Sequence, residues 1–201
     1  MKIAVFVSGN GTNLQALLDA QDKGGLGKGK ITLVVSDNPE AFALSRAEKK
    51  GIETYVQTKE KYPTREAYDT DIMKKLKEKG IELVVLAGFM RILSSDFVAK
   101  YESRILNIHP ALLPSFRGAH GIKDAYEHGV KVTGVTVHFA TSELDAGPII
   151  LQECVKIEEA DTPDTLEERI HKVEHRLYPE AVRLFAEGKL KVEGRRVRIS
   201  K

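Results

Sequence analysis

A single cysteine, Cys154, stands among 201 residues, so the chain cannot close a disulfide on itself. Within the apolar run "IILQECVKI" it reads as a small buried hydrophobe rather than a nucleophile. Tryptophan is absent and aromatic residues make up 6%. The basic tail with Lys189, Lys191, Arg195, Arg196 and Arg198 therefore has no interleaved aromatics on which bases could stack, and reads as a solvated edge. A dominant charge is missing too. Thirty-one Lys and Arg face 29 Asp and Glu, leaving a formal +2, a weak field for nucleic acid or a membrane surface. No apolar run reaches transmembrane length. The opening "MKIAVFVSGNG" turns at glycines where a secretory signal would continue its apolar stretch. These absences point to a reducing, cytoplasmic home. Metal ligands are also scarce. His171 and His175 have i, i+4 spacing, but "HKVEH" lacks the glutamate that follows the first histidine in the zinc motif, so no metal is expected.

What is present is a regular alternation. "KIAVFVS", "KITLVVS", "IETYVQ", "IELVVLAG" and "RILNIH" read as strands. Between them lie helical patterns from Leu14 to about Lys23, in "AFALSRAEKKG", in "TREAYDTDIMKKLKEKG" and in "SSDFVAKYES". Such alternation implies a Rossmann-like, mostly parallel twisted sheet flanked by helices. A helix from about Gly121 to His128 follows. "KVTGVTVHFA" and "PIILQECVKI" then form a pair that the short link "TSELDAG" makes antiparallel. A long helix opens at Thr162 as N-cap with Pro163 at N1, and Pro179 is expected to kink or restart it. "KLKVEGRRVRIS" closes as a basic hairpin.

In such a sheet, ligands bind beyond the carboxyl ends of the strands, and four loops there carry chemistry. "SGNGTN" joins a strand to a helix, where backbone N–H groups and glycine-permitted close approach suit a phosphate. Leu14 occupies the third glycine position of a dinucleotide fingerprint, and Asp37 after the second strand keeps that reading only weakly alive. In "AGFMRIL", Phe89, Met90, Ile92 and Leu93 could line a pocket for a flat ligand, although core packing of the next helix is the commoner outcome. Asn107 and His109 fall on one face of a strand. Two donors directed at one point suit an oxyanion. In "TSELDAG", Asp145 would reach His109 if the sixth strand ran parallel to the fifth, and its carboxylate would favour the imidazolium.

Taken together, "SGNGTNL", "VVLAGFMRILS", "LNIHPALLPSFRG" and "ELDAGPII" resemble the phosphoribosylglycinamide formyltransferase family, folate-dependent enzymes of purine synthesis. The likeness runs in order along essentially the whole chain. The Asn-x-His-Pro-x-Leu-Leu-Pro stretch is shared with the wider formyl-folate transferases and hydrolases, while "SGNGTN" and "VEHRLYP" narrow it. Thr12 stands where serine is frequent, and a hydroxyl is kept. The resemblance implies one formyltransferase domain over 1–201, with a nucleotide half (1–102) and a catalytic and folate half (103–201). It implies 10-formyltetrahydrofolate as co-substrate, glycinamide ribonucleotide as acceptor, no metal, no nucleic-acid or membrane partner, and leaves room for an oligomer. Asn107, His109 and Asp145 would be catalytic. Gly11, Thr12, Asn13, Gly88, His171, Lys172, Val173 and Glu174 would hold the ribonucleotide. Arg65, Met90, Arg91, Ile92, Leu93, Asn107 and the stretch Thr141, Ser142, Glu143, Leu144, Asp145 would hold the folate. Against this stand methionyl-tRNA formyltransferase, formyltetrahydrofolate hydrolase, and a nucleotide-binding module without chemistry.

Overall fold

The computed structural model describes residues 1–200. Five strands, β1 (Lys2–Val7), β2 (Lys30–Ser36), β3 (Glu53–Val56), β4 (Leu83–Leu86) and β5 (Ile105–His109), lie parallel in the order β3-β2-β1-β4-β5. The order reverses between β1 and β4, the kind of point at which open α/β sheets bind ligands. Alternation along β1 explains its two-sided burial. Ile3, Val5 and Val7 enter one core with α1 (Thr12–Asp22), α2 (Phe42–Lys49) and α6 (Pro163–Ala186). Ala4 and Phe6 enter the other with α3 (Arg65–Lys79) and α4 (Ser95–Lys100). Thr64 caps α3, and Gly80, at φ 67, ends it in the left-handed region that glycine tolerates.

The second part of the chain extends the same sheet. After α5 (Gly121–His128) come β6 (Val132–Phe139) and β7 (Ile149–Lys156), and the terminal hairpin of β8 (Leu190–Glu193) and β9 (Arg196–Ile199) joins the edge beside β7. β6 runs antiparallel to β5. The parallel alternative on which Asp145 was expected to reach His109 is therefore wrong, although the link of residues 110–131 with its helix is long enough for a parallel crossover. The antiparallel β6–β7 pair is as expected.

Thr162 and Thr165 cap α6 reciprocally, Pro163 sits in its first turn, and the helix runs unbroken through Pro179 rather than restarting there. Its Tyr178 is fully buried, with the hydroxyl 2.8 Å from the Leu86 carbonyl and 3.0 Å from the Leu106 carbonyl. Cys154 is exposed, contrary to expectation. Along β7 Gln152, Cys154 and Lys156 are all exposed while Val155 is buried, so the strand turns one face to solvent. No helix among the described residues is long and apolar enough to cross a membrane.

Candidate functional site

A cleft of about 1010 Å³ crosses the carboxyl ends of β1, β4 and β5. At one end the loop after β1 is held from outside. The Ala43 amide donates to the Gly9 carbonyl at 3.1 Å. Arg46 grips Asn10 twice, through the carbonyl at 2.9 Å and Oδ1 at 2.8 Å. Gly11 has φ 76, and a Cβ there would lie 2.5 Å from that of Ala43. The loop can lie this close to α2 only because residue 11 has no side chain. Gly11 also precedes α1 without a capping side chain, and uncapped first-turn amides suit an anion.

Beside this loop, α6 supplies Glu174, which is buried. Its Oε2 accepts from Asn13 Nδ2 at 3.0 Å and from His171 Nδ1 at 2.9 Å. The hydrogen bond that His171 donates to Glu174 and the carboxylates on both sides outweigh burial and raise the His171 pKa above its usual 6.5. Neighbouring His175 stacks on His171 and is pushed the other way, chiefly by burial. No group of three or more His, Cys, Asp or Glu suited to a metal occurs among the described residues.

The opposite end is apolar. Met90 and Ile92 are 70% and 59% exposed, and Leu144 is 52% exposed, all lining the cleft. The expectation that this run would be ordinary core fails for Met90 and Ile92, while Leu93 is buried and Phe89 packs on Phe6. The Met90 amide donates to Ser8 Oγ at 2.9 Å, which ties the two ends together. Arg91 lies over the Tyr68 ring at 4.0 Å.

Between the ends sit Asn107, His109 and Asp145. Because β6 is antiparallel, the segment after it starts beside Ile105 and folds back over the sheet face. Asp145 takes φ 50, a left-handed conformation that Asp tolerates better than most residues. Its Oδ2 accepts from the Gly118 amide at 2.9 Å and lies 3.5 Å from His109 Nδ1, while Oδ1 is 3.4 Å from Asn107 Nδ2. Burial favours the neutral acid, but the His138 ring, the Gly118 amide and His109 together hold the Asp145 carboxyl below the usual range. His109 Nε2 donates to the Phe116 carbonyl at 2.7 Å. Its proton is thus engaged by the loop after β5 instead of pointing into the open cleft.

His138 escaped the sequence reading. It lies directly opposite Asn107 on β6, with Nε2 3.1 Å from Asn107 Nδ2 and 3.6 Å from Asp145 Oδ1. The signal was there: a polar residue closing the apolar run "VTVHF", as Asn107 and His109 interrupt "RILNIH". Of the expected site residues, Gly11, Thr12, Asn13, Gly88, Met90 to Leu93, Asn107, His109, Thr141 to Asp145, His171 and Glu174 line this one cleft. Arg65, Lys172 and Val173 do not. Arg65 is exposed and beside Glu66, Lys172 is exposed, and Val173 packs against the core. Asp37 also lies outside the cleft, which removes the support it gave to a dinucleotide.

Known proteins resemble this chain along nearly its whole length. Phosphoribosylglycinamide formyltransferase of Escherichia coli is 44% identical over 192 residues, 96% of this chain and 90% of that protein. The trifunctional purine biosynthetic protein adenosine-3 of Gallus gallus is 48% identical over 96% of this chain, which spans only 19% of that longer protein. The crystal structure of glycinamide ribonucleotide transformylase 1 from Symbiobacterium toebii superposes with a TM-score of 0.97 at 48% identity, covering 100% of this chain and 94% of that one. The formyl transferase family matches residues 1–182, and the chain belongs to it.

Proposed function

We propose that this chain transfers the formyl group of 10-formyltetrahydrofolate to the amine of 5-phosphoribosylglycinamide, giving N-formylglycinamide ribonucleotide and tetrahydrofolate in de novo purine synthesis. The observation that carries this reading is the single cleft with an anion-suited loop at one end, exposed apolar side chains at the other, and Asn107, His109 and Asp145 between them. Relatives named for this reaction support it. We read residues 1–201 as one formyltransferase domain in the cytoplasm, acting on small molecules. The proposed division of labour cuts across the halves 1–102 and 103–201: Met90 to Leu93 belong to the first, and His171 and Glu174 to the second.

The residues fit both substrates. Gly11, Thr12 and Asn13 offer backbone donors to the phosphate, with Gly88 beside them. Glu174, its Oε2 already engaged, offers Oε1 to the ribose hydroxyls. Exposed Met90, Ile92 and Leu144 suit a flat ring system that would cover them. The folate supplies the formyl group and no metal is required.

Formyl transfer needs charge stabilised on the formyl oxygen and a proton delivered to the departing nitrogen. Asn107 supplies an amide donor. His109 supplies a second donor and the proton, and to do so Nε2 must give up the Phe116 carbonyl. One oxyanion donor is worth about 3 to 4 kcal/mol. Asp145, held ionised below the usual range, is a weak base. Its work is to carry the negative charge that the His109 ring faces, with water taking the acceptor's proton. The deciding experiment offers 10-formyltetrahydrofolate with glycinamide ribonucleotide, formyl-accepting tRNA or water alone. Turnover dependent on the ribonucleotide supports the proposal, and equal turnover in water overturns it.

A further inference from the structure

The ribonucleotide end of the cleft contains an ionisable group whose surroundings on α6 are unusual. His171 has a carboxylate at each ring nitrogen: Glu174 Oε2 lies 2.9 Å from Nδ1, and Glu167 Oε1 lies 3.3 Å from Nε2. A neutral imidazole has one N–H and can satisfy only one of them. The doubly protonated ring satisfies both. Its flat face is covered by His175, at 6.0 Å between centroids and 8° between planes. His175 Nε2 is buried without a partner, and burial lowers that ring's pKa, so a proton shared out between the two rings goes to His171 first.

What the charge does follows from Glu174. This carboxylate is 4% exposed. Its Oε2 is fixed by two donors, Asn13 Nδ2 from α1 and His171 Nδ1 from its own helix. Oε1 takes no hydrogen bond from the described residues. The carboxylate is thereby oriented with one oxygen held by protein and the other left for a ligand donor. Besides Arg91 and Glu143 and the central His109, His138 and Asp145, the remaining charged or titratable groups lining the cleft are His120 and Lys123, at and just after the start of α5. Neither is hydrogen-bonded to Glu174.

We infer that His171 is a titrating positioning residue: as an imidazolium clamped between Glu167 and Glu174, it holds Glu174 for the ribose hydroxyls, and ribonucleotide affinity falls when it loses its proton. This rests on the ribonucleotide reading of the cleft. It assigns His171 no contact with the reacting atoms, so KM for the ribonucleotide should move while kcat and KM for the folate stay put.

The test compares wild type, His171→Gln and His171→Ala in steady-state formyl transfer between about pH 7 and about pH 9, above the second ionisation of a phosphate monoester near 6. The acceptor amine titrates in this range in all three proteins, so only differences between their profiles count. Gln keeps an amide N–H donor group and cannot titrate. Relative to His171→Gln, wild-type ribonucleotide KM should rise roughly tenfold toward high pH, as expected for loss of a charge-assisted hydrogen bond. His171→Ala should show the weaker affinity at every pH. An NMR titration of the His171 ring should show a midpoint above 6.5. Superimposable wild-type and His171→Gln profiles, or a matching rise in folate KM, would overturn the inference. Absence of formyl transfer in wild type would instead sink the underlying functional reading.

Discussion

The loop after β1 and the loop after β4 are joined where the Met90 amide donates to Ser8, yet they are built on opposite plans. The first is held from behind by Ala43 and Arg46. The backbone amides proposed for its ligand are already held in place by these contacts. The second leaves Met90 and Ile92 in solvent, so its apolar surface is incomplete until a ligand covers it. An anion needs fixed donors, because each misplaced one leaves charge unsolvated. A flat apolar ring needs area, which tolerates adjustment. A small change should therefore damage the first loop severely and the second gradually.

The largest expected effect separates both loops from the chemistry between them. His109→Ala should lower kcat by at least about a hundredfold, removing a donor and a proton source together, while both KM values change little. Stopped-flow formyl transfer with ligand binding measured in parallel checks this. If the loss appears in binding instead, the ends and the middle of the cleft are not separate functions.

The contrast between the loops breaks most directly at Gly11. A methyl group there meets Ala43 Cβ at 2.5 Å and Cα at 2.9 Å, on a residue with positive φ. That conformation costs an L-residue roughly 1 to 2 kcal/mol before any clash. Gly11→Ala should weaken ribonucleotide binding by more than about tenfold, with folate binding intact by calorimetry. Equal loss at both ends would mean that the Ser8–Met90 bond makes them one unit.

Ile92→Ala probes the adjustable loop. Trimming this side chain should raise folate KM by several-fold, about what roughly 1 kcal/mol of lost apolar contact gives, and leave ribonucleotide KM unchanged. An effect as large as that of Gly11→Ala would end the distinction.

The smallest effect is on acid stability. The Asp145 carboxyl is depressed by its partners despite burial. A group with a lowered folded pKa contributes stability above its unfolded value, near about 3.9, and loses it as pH falls through the folded one. Asp145→Asn should flatten that part of the acid-unfolding curve followed by circular dichroism. Identical curves would show that the carboxylate gains nothing from its surroundings.

The fold was readable where local pattern decides it. The apolar run of β1, the Gly80 stop of α3, and the Thr162–Pro163 start of α6 depend on near neighbours. The direction of β6 was not readable, because residues 110–131 can close either way and only packing chooses. The same limit hid His138, whose partner Asn107 is 31 positions away and becomes a neighbour only through antiparallel pairing. Cys154 sits on the outward side of its strand, where Gln152 and Lys156 two residues away on either hand were the sign of the exposed face. Among the site residues, motif resemblance chose the segments. Which side chains within each segment turn inward, as Glu174 does and Lys172 does not, is set by the orientation of α6.

Tyr178 gives α6 a further significance. Its hydroxyl has one hydrogen and two carbonyl neighbours, one on β4 and one on β5, so it stitches the helix to both strands at once. Peeling α6 from these strands would take the hydroxyl from both carbonyls and expose a buried aromatic ring in the same event. The helix and these strand ends therefore belong to one cooperative unfolding unit, and amides across them should exchange with solvent at a common free energy. Partial melting that frees α6 while β4 and β5 stay intact is thereby disfavoured.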